Sequence, residues 1–275
     1  RFNYALHIAN RKETIPQLAY ADLSGHLSGS TMQAVLTQHD FDNKQGINIG
    51  ISAELSDTAV MMNLFPDQLT IGYKQWTVNE NNRIAFNYKD KHFDSNLKLT
   101  HADSYLSLTT EHNPDNSAQE DILLKIANVQ IADWLSLSPF APPVKGIIGA
   151  DFKIKYNSSN IWGDGMIALD NLTYDKRKVG KLELNTFIDL NPATGGTNAT
   201  ANLEVNDRQC VVAFGSINDS IQHTPLKLVL EIDKFPLAGI AGGQRQRNGD
   251  INMRVKALSI PHRQVRTRNR ALHAV

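Results

Sequence analysis

The chain has 275 residues with 28 acidic and 28 basic side chains, so its formal net charge is zero. This balance gives no support to a nucleic-acid partner or an acidic substrate, which call for a basic excess. The single cysteine, Cys210, excludes an intrachain disulfide. No apolar run reaches the roughly 18 residues that a membrane-spanning helix needs.

The chain begins at Arg1 and carries no basic-then-apolar export signal at its start. We therefore expect an internal piece of a longer protein, whose membrane anchor lies upstream.

Short alternating runs of apolar and polar residues occupy the first 110 positions. The clearest is GINIGISAEL, which places Ile47, Ile49 and Ile51 on one side. The runs FNYALHI, LAYADLSGHLSG, TAVMMNLF, QLTIGYKQW, RIAFNY, NLKLTH and YLSLTT are read as further strands. Because polar, turn-rich connectors separate them, this pattern predicts a mainly antiparallel sheet.

The stretch from Asp121 to Tyr156 changes period. It begins as a strand with Ile122, Leu124 and Ile126 on one side. In VQIADWLSL the apolar spacing becomes three and four, which predicts a short helix. A run of prolines ends that helix, and GADFKIKY begins the next strand.

The alternation then resumes. MIALDNLTY, KLELNTFIDL, ATANLEV, CVVAFGSI and PLKLVLEI are predicted strands, and WGDG is read as a turn. Leu182 and Leu184 lie on one side of the second run, and Leu226, Leu228 and Leu230 on one side of the last. The setting of Cys210 favours a buried structural residue over a reactive thiol.

Two segments of the chain resemble each other in sequence. LLKIANVQIADWLSLSP resembles the later segment LVLEIDKFPLAGIAGG, and each passes from a strand into a short helical or turn segment. We read residues 1–243 as one continuous repeat region with junctions near 129–145 and 233–243. Residues 244–275 are rich in arginine and are read as a basic, poorly patterned tail.

No motif in the sequence points to catalysis. The segment DFDNKQG lacks the spacing and final acidic residue of a calcium loop, so an ordinary turn at Asp40 is favoured. The histidines have no metal-ligand spacing, and His101 is expected to be a solvent-exposed residue beside a turn. We predict a non-enzymatic protein with no cofactor and no metal.

The apolar alternation has two interpretations. A sandwich or closed barrel would hide the apolar faces as core, whereas a long U-shaped sheet would leave them lining a trough that needs a partner. In the second case the candidate groove-lining residues are Ile47, Ile49, Ile51, Ile122, Leu124, Ile126, Leu182, Leu184, Leu226, Leu228 and Leu230.

The segment KIANVQIADWLSLSPFAPPVKGIIGADFKI resembles the repeats of the TamB family, inner-membrane components of the translocation and assembly module that are related to AsmA-like envelope proteins. LEIDKFPLAGIAG, IGYKQWTVNENN and MIALDNLTYDKRKVGKLELN resemble the same family, so that the likeness covers most of residues 60–241. The chain departs from the family pattern at AGGQRQRNG.

This resemblance implies an all-β fold: a long, curled, mainly antiparallel sheet, or β-taco, with short helical junctions. It also implies a periplasmic protein of a Gram-negative bacterium, anchored in the inner membrane. The implied partners are phospholipid acyl chains and an Omp85-type outer-membrane barrel protein, with no nucleic acid. The implied roles are outer-membrane protein assembly or secretion and phospholipid transport between the two membranes.

Two other classes stay open. A β-sandwich or solenoid module that binds glycans, or an adhesin, would present exposed aromatic platforms at Trp76, Trp134 or Trp162. A β-helical polysaccharide lyase would need clustered acidic and basic residues on one face, which the sequence does not display.

Overall fold

The computed structural model of the chain is nearly all β, with 76% of residues in strands and 3% in helix. It describes residues 1–10, 18–67, 69–112, 120–138, 141–156, 161–191, 196–218, 226–236 and 250–260. The expected fold class, a curled and mainly antiparallel sheet, is confirmed. The described strands belong to one sheet rather than to two facing sheets.

The strands are numbered in chain order. The first eleven are β1 (Phe2–Ala9), β2 (Tyr20–Ser28), β3 (Thr31–His39), β4 (Gln45–Leu55), β5 (Ala59–Leu64), β6 (Thr70–Ile71), β7 (Lys74–Gln75), β8 (Thr77–Val78), β9 (Arg83–Asn87), β10 (His92–His101) and β11 (Ser104–His112). The others are β12 (Glu120–Gln130), β13 (Val144–Tyr156), β14 (Ile161–Tyr174), β15 (Arg177–Asn191), β16 (Gly196–Val205), β17 (Arg208–Asn218), β18 (Leu226–Pro236) and β19 (Asp250–Ile260). One helix, α1 (Ile131–Leu135), follows β12.

The chain divides into two compact units. Unit 1 comprises residues 1–111, 122–149 and 173–176, and unit 2 comprises residues 112–121, 150–172 and 177–275. Strands β12 to β14 contribute residues to both units.

The pairing of strands β1 to β4 places apolar side chains on one side of the sheet in unit 1. Leu6 pairs with Leu23, Leu23 with Leu36, and Leu36 with Ile49 across strands β1 to β4. Directly paired residues of antiparallel strands share a face, so four strands contribute to one row of apolar side chains. We call this side the apolar face of unit 1.

Strand β4 pairs with β3 and, in addition, with two other strands. Its second half pairs with β5, while Ile47 in its first half pairs with Ile71 of β6. The segment predicted as one strand, QLTIGYKQW, is instead broken into β6 and β7. The break occurs at Gly72 and Tyr73, whose φ angles are 66° and 61°. Two successive positive φ values cannot continue an extended strand, so that prediction was wrong.

The predicted helix in VQIADWLSL is present as α1, although it is only five residues long. Asn128, just before it, has a φ of 55°. The side-chain amide of Asn128 donates to the carbonyl of Asp103, and Ser104 Oγ donates to the Asn128 carbonyl. These bonds fix the end of β12 against the turn between β10 and β11.

Strands β15 to β19 of unit 2 pair in sequence order. Thr186 pairs with Ala201, Ala201 with Ala213, and Ala213 with Leu230. Asn206 and Asp207, between β16 and β17, both have positive φ, and so do Asp175 and Lys176 between β14 and β15. This is the geometry of a type I′ hairpin turn, which matches the twist of antiparallel strands.

Three further predictions can be compared with the fold. The WGDG segment was read as a turn, but Gly163 and Gly165 lie inside β14, so that reading was wrong. Strand β3 was not predicted. Residues 250–260 of the predicted tail form β19, which pairs with β18. The second junction near 233–243 falls mainly, and residues 261–275 entirely, outside the described residues.

Candidate functional site

The candidate site is an apolar groove within unit 2. Its volume is about 570 Å³, within the roughly 300–1,000 Å³ typical of small-molecule sites. The groove is lined by Phe152, Ile154, Gly163, Asp164, Thr186, Phe187, Ile188, Ala199, Thr200, Ala201, Ala213, Phe214 and Gly215.

The floor of the groove consists of small residues from three adjacent strands. Ile188 pairs with Ala199, which in turn pairs with Gly215. A Cβ atom added to Gly215 would meet no atom within 4 Å. Small side chains in adjacent registers leave a depression that a ligand can occupy close to the backbone.

Larger side chains form the wall. The ring of Phe152 lies over Gly165, where an added Cβ would come within 2.0 Å of the ring atom Cδ1. Gly163 lies between Ile154 and Ile188, because a Cβ there would be 3.5 Å from a side-chain carbon of each. Gly165 is therefore required by close packing inside the strand, not by a turn, whereas a Cβ at Gly163 would make only ordinary van der Waals contacts.

The wall is incompletely covered. Ile154 is 37% exposed and Ile188 is 44% exposed. Large apolar side chains on the rim of an apolar groove favour a partner that covers them.

The opposite side of these strands is different in character. Trp162 carries the ammonium of Lys155 at 5.2 Å from its ring centroid, a cation–π contact. Phe187 meets the same tryptophan edge-on with centroids 5.6 Å apart. Lys155 and Trp162 alternate with the groove residues Ile154 and Gly163, so their side chains point to the other face. Phe187 contacts Trp162 and also lines the groove.

The apolar face of unit 1 is exposed at one end and closed at its centre. Phe2, Leu6, Ile8 and Leu27 on strands β1 and β2 are between 43% and 64% exposed. The closed centre is a buried cluster whose members are at most 9% exposed, namely Leu69, Trp76, Val78, Leu97, Leu99 and Val129.

Two of the tryptophans, Trp76 and Trp134, differ in their exposure to solvent. Trp76 is 4% exposed and donates its indole N–H to the carbonyl of Ile71 at 3.3 Å. It therefore cannot be the exposed glycan platform considered from the sequence. Trp134 meets it edge-to-face at 6.2 Å and is 37% exposed. His101, expected to be solvent-exposed beside a turn, lies beside the turn at Ala102 and is half-buried. Its ring is tilted against Trp76 with centroids 5.8 Å apart, and its Nδ1 lies 2.8 Å from the Gln75 carbonyl oxygen.

The predicted groove residues fall into three groups. Ile47, Ile49 and Ile51 of β4 are half-buried, and so are Ile122, Leu124 and Ile126 of β12. Ile49 and Ile126 pack against the closed centre of unit 1. In unit 2, Leu182, Leu184 and Leu230 are half-buried, and the side chains of Leu226 and Leu228 lie outside the described residues. None of the nine whose side chains the structure describes lines the groove directly.

The residues that do line the groove were missed for one reason. Ala199, Ala201, Ala213 and Gly215 are small, and a search for bulky alternating residues passes over them. The available signal was the alternation within each run, because these small residues lie on the same side as bulky residues of their own strand. Ile188 belongs to the predicted strand KLELNTFIDL and continues the row of Leu184 by period two.

The ionisable groups form small surface networks. Lys181 Nζ lies 3.1 Å from a Glu183 carboxylate oxygen and 3.0 Å from one of Asp207. Hydrogen bonds from Asn185 and then Lys181 lower the pKa of Glu183, and the two carboxylates raise the pKa of Lys181. Burial and then Asp40 raise the pKa of Tyr73.

None of these networks lines the groove. Within the described ranges, no group of three or more His, Cys, Asp or Glu side chains is placed to hold a metal ion. As expected, Asp40 closes an ordinary turn, accepting from the backbone amides of Asp42 and Lys44. Cys210 is buried, also as expected, at 2% exposure.

Comparisons with protein-family models, curated proteins and solved structures give no match. The resemblance to the TamB family therefore stays a prediction. In the part of the chain that the structure describes, no helix has the length and apolar character needed to cross a membrane.

Proposed function

We propose that the chain is a non-enzymatic segment that carries phospholipid acyl chains along its apolar surfaces. The observation that supports this most directly is the unit 2 groove, where a floor of alanine and glycine lies beside the exposed side chains of Ile154 and Ile188. A hydrocarbon chain fits such a lining because it needs no hydrogen-bond partner.

The expected affinity suits transfer rather than storage. Each CH₂ removed from water contributes about 0.8 kcal/mol, so ten methylenes in the groove give roughly 8 kcal/mol. Association costs on the order of 4 kcal/mol or more in lost translational and rotational freedom. The small difference favours reversible binding, from which a lipid can leave.

The cellular setting follows from the family resemblance. We propose a TamB-like segment in the periplasm, tethered to the inner membrane through a part of the protein not included in this sequence. It would serve phospholipid transport and outer-membrane protein assembly together with an Omp85-type barrel protein. The curled antiparallel sheet is compatible with this proposal.

A photo-crosslinking experiment tests the groove. A photoreactive residue at Ile188 should capture phospholipid from vesicles of phosphatidylethanolamine and phosphatidylglycerol, whereas one at Asp189 on the opposite face should not. Gly215→Leu places a side chain in the open space of the floor and should reduce capture several-fold without lowering stability. Asn202→Leu, on the opposite face of the neighbouring strand, is the matched control.

Equal capture at both positions, or a Gly215→Leu protein that captures lipid as well as the Asn202→Leu control, would refute the proposal.

A glycan-binding function is the second candidate. Trp162, with the Lys155 ammonium over its ring and Phe187 against its edge, provides an aromatic surface. It predicts that soluble oligosaccharides change the fluorescence of Trp162, and that a Trp162→Ala variant loses glycan binding while lipid capture at Ile188 is retained.

A further inference from the structure

A short segment lies on the apolar face of unit 1. We call residues 130–138, which contain α1, the flap. Its Trp134 ring meets the ring of Trp76 edge-to-face, with centroids 6.2 Å apart. The side chain of Gln38 donates to the Leu137 carbonyl at 3.4 Å, and a Leu137 methyl lies beside Gly46. The flap thus covers the side of unit 1 that holds the buried cluster.

The flap has little stability of its own. Helix α1 has five residues, none of them buried, and Gln130 provides no side-chain cap for its first amides. Isolated helices shorter than about 12 residues are marginal in water. The position of the flap therefore depends on its contacts with the sheet, which include the aromatic pair Trp134–Trp76.

A cavity of about 520 Å³ borders the flap within unit 1. Ala132 and Leu135 of α1 line it together with Pro142 and the turn residues Asp175 and Lys176. Unfilled space gives no dispersion contacts, so this side of the flap contributes little to holding it down. The cavity also provides room for the flap to move into.

The flap approaches the sheet most closely at Gly72. The φ of Gly72 is 66°, and a Cβ atom there would lie 2.5 Å from the Asp133 carbonyl oxygen. Only glycine allows both this backbone angle and this approach. The closed position is thus built into the turn between β6 and β7.

We infer that the flap is a movable cover on the apolar face of unit 1. When it swings toward the cavity it uncovers Trp76, and the closed centre becomes accessible from the exposed part over β1 and β2. Opening would regulate how far a hydrocarbon chain can advance along unit 1. This inference rests on the proposed lipid-carrying function.

A steric clash tests the inference. A Cβ atom on Gly72 would collide with the Asp133 carbonyl, so Gly72→Ala should prevent the flap from closing. Gly29→Ala is the matched control, because Gly29 also has a positive φ, 59°, but a Cβ there would meet no atom within 4 Å. A photoreactive residue at Ile49, which packs against the buried cluster, then reports entry of phospholipid from the same vesicles.

We expect higher lipid capture at Ile49 in Gly72→Ala than in the Gly29→Ala control. A photoreactive residue at Ile188 in unit 2 serves as the internal control, with equal capture in both variants. Loss of capture at Ile188 in both variants refutes the proposed function itself. Capture at Ile188 combined with equal capture at Ile49 in the two variants, or with none there in either variant, refutes the flap alone.

A second variant removes a contact between the flap and the sheet. Trp134→Ala removes the edge-to-face contact with Trp76 and should raise capture at Ile49 by about 2- to 10-fold, the range expected from losing one aromatic pair. Unchanged capture in this variant, at undiminished thermal stability, would also overturn the inference.

Discussion

Two leucines on the apolar face of unit 1 allow a direct test of where that face is closed. Leu69 is 2% exposed and belongs to the buried cluster, whereas Leu55 is 59% exposed at the end of β4. Leu69→Ala and Leu55→Ala make the same chemical change in these two surroundings. The sequence pattern alone gives no reason to rank them.

The structure predicts a large difference. Truncating Leu69 removes the burial of about three methylene equivalents, or roughly 2.4 kcal/mol, and leaves a cavity that raises the cost to about 3–5 kcal/mol. Leu55→Ala should cost at most about 0.5 kcal/mol, since its side chain already contacts water. With a urea dependence of about 1–3 kcal/mol per molar, the midpoint should fall by 1 M or more for Leu69→Ala only.

The assay is urea unfolding followed by tryptophan fluorescence. Trp162 belongs to unit 2, so a Trp162→Phe background restricts the signal to Trp76 and Trp134 of unit 1. Equal midpoint shifts in the two variants would show that the centre of this face is as open as its end, and would refute the division into closed and exposed parts.

Three further predictions concern single side chains. Asn82 is 3% exposed, and its side chain donates to the carbonyls of Leu64 and Asn79 and accepts from the Leu64 amide. Asn82→Ala should therefore lower the free energy of unfolding by about 2–4 kcal/mol in the same urea assay. An effect under about 0.5 kcal/mol would contradict this prediction. Gly165→Ala should displace the Phe152 ring and lower the melting temperature, while Gly215→Ala, which meets open space, should leave it unchanged. Because the folded pKa of Glu183 is lowered, its stabilisation is present above about pH 4.3 and is lost as the pH falls through the folded value; Asn185→Ala should raise that pKa in a carboxyl NMR titration, and an unaltered titration would contradict the assigned cause.

Alternation was sufficient for most of the strands because one side of each is apolar. Ile47, Ile49 and Ile51 alternate with polar residues, and β4 was predicted from them. Strand β3 was missed because Gln38 lies on its apolar side and Val35 on the other, so the period-two signal is weak. The bond from Gln38 to Leu137, which explains a buried amide there, joins residues 99 positions apart and leaves no local trace.

The backbone angles at Gly72 and Tyr73 and the close packing of Phe152 over Gly165 were not evident from the sequence either. Glycine is read as a turn signal because it is permissive, yet in β14 it makes space for neighbouring side chains. This second role of glycine is one reason why the groove was not predicted. The bulky residues at its rim followed from alternation within each strand. The floor, where small residues of neighbouring strands lie side by side, required the register between strands, which a single sequence does not contain.

The sequential pairing of β15 to β19 has a consequence for how unit 2 forms. Each strand finds its partner in the strand made just before it, across turns as short as Asn206–Asp207. Because each contact joins neighbouring strands, the entropic cost of closing the intervening loop is low, which favours rapid, stepwise assembly. A chain emerging from a ribosome or a translocation pore could therefore add these strands one at a time, in the order of synthesis, without waiting for distant segments.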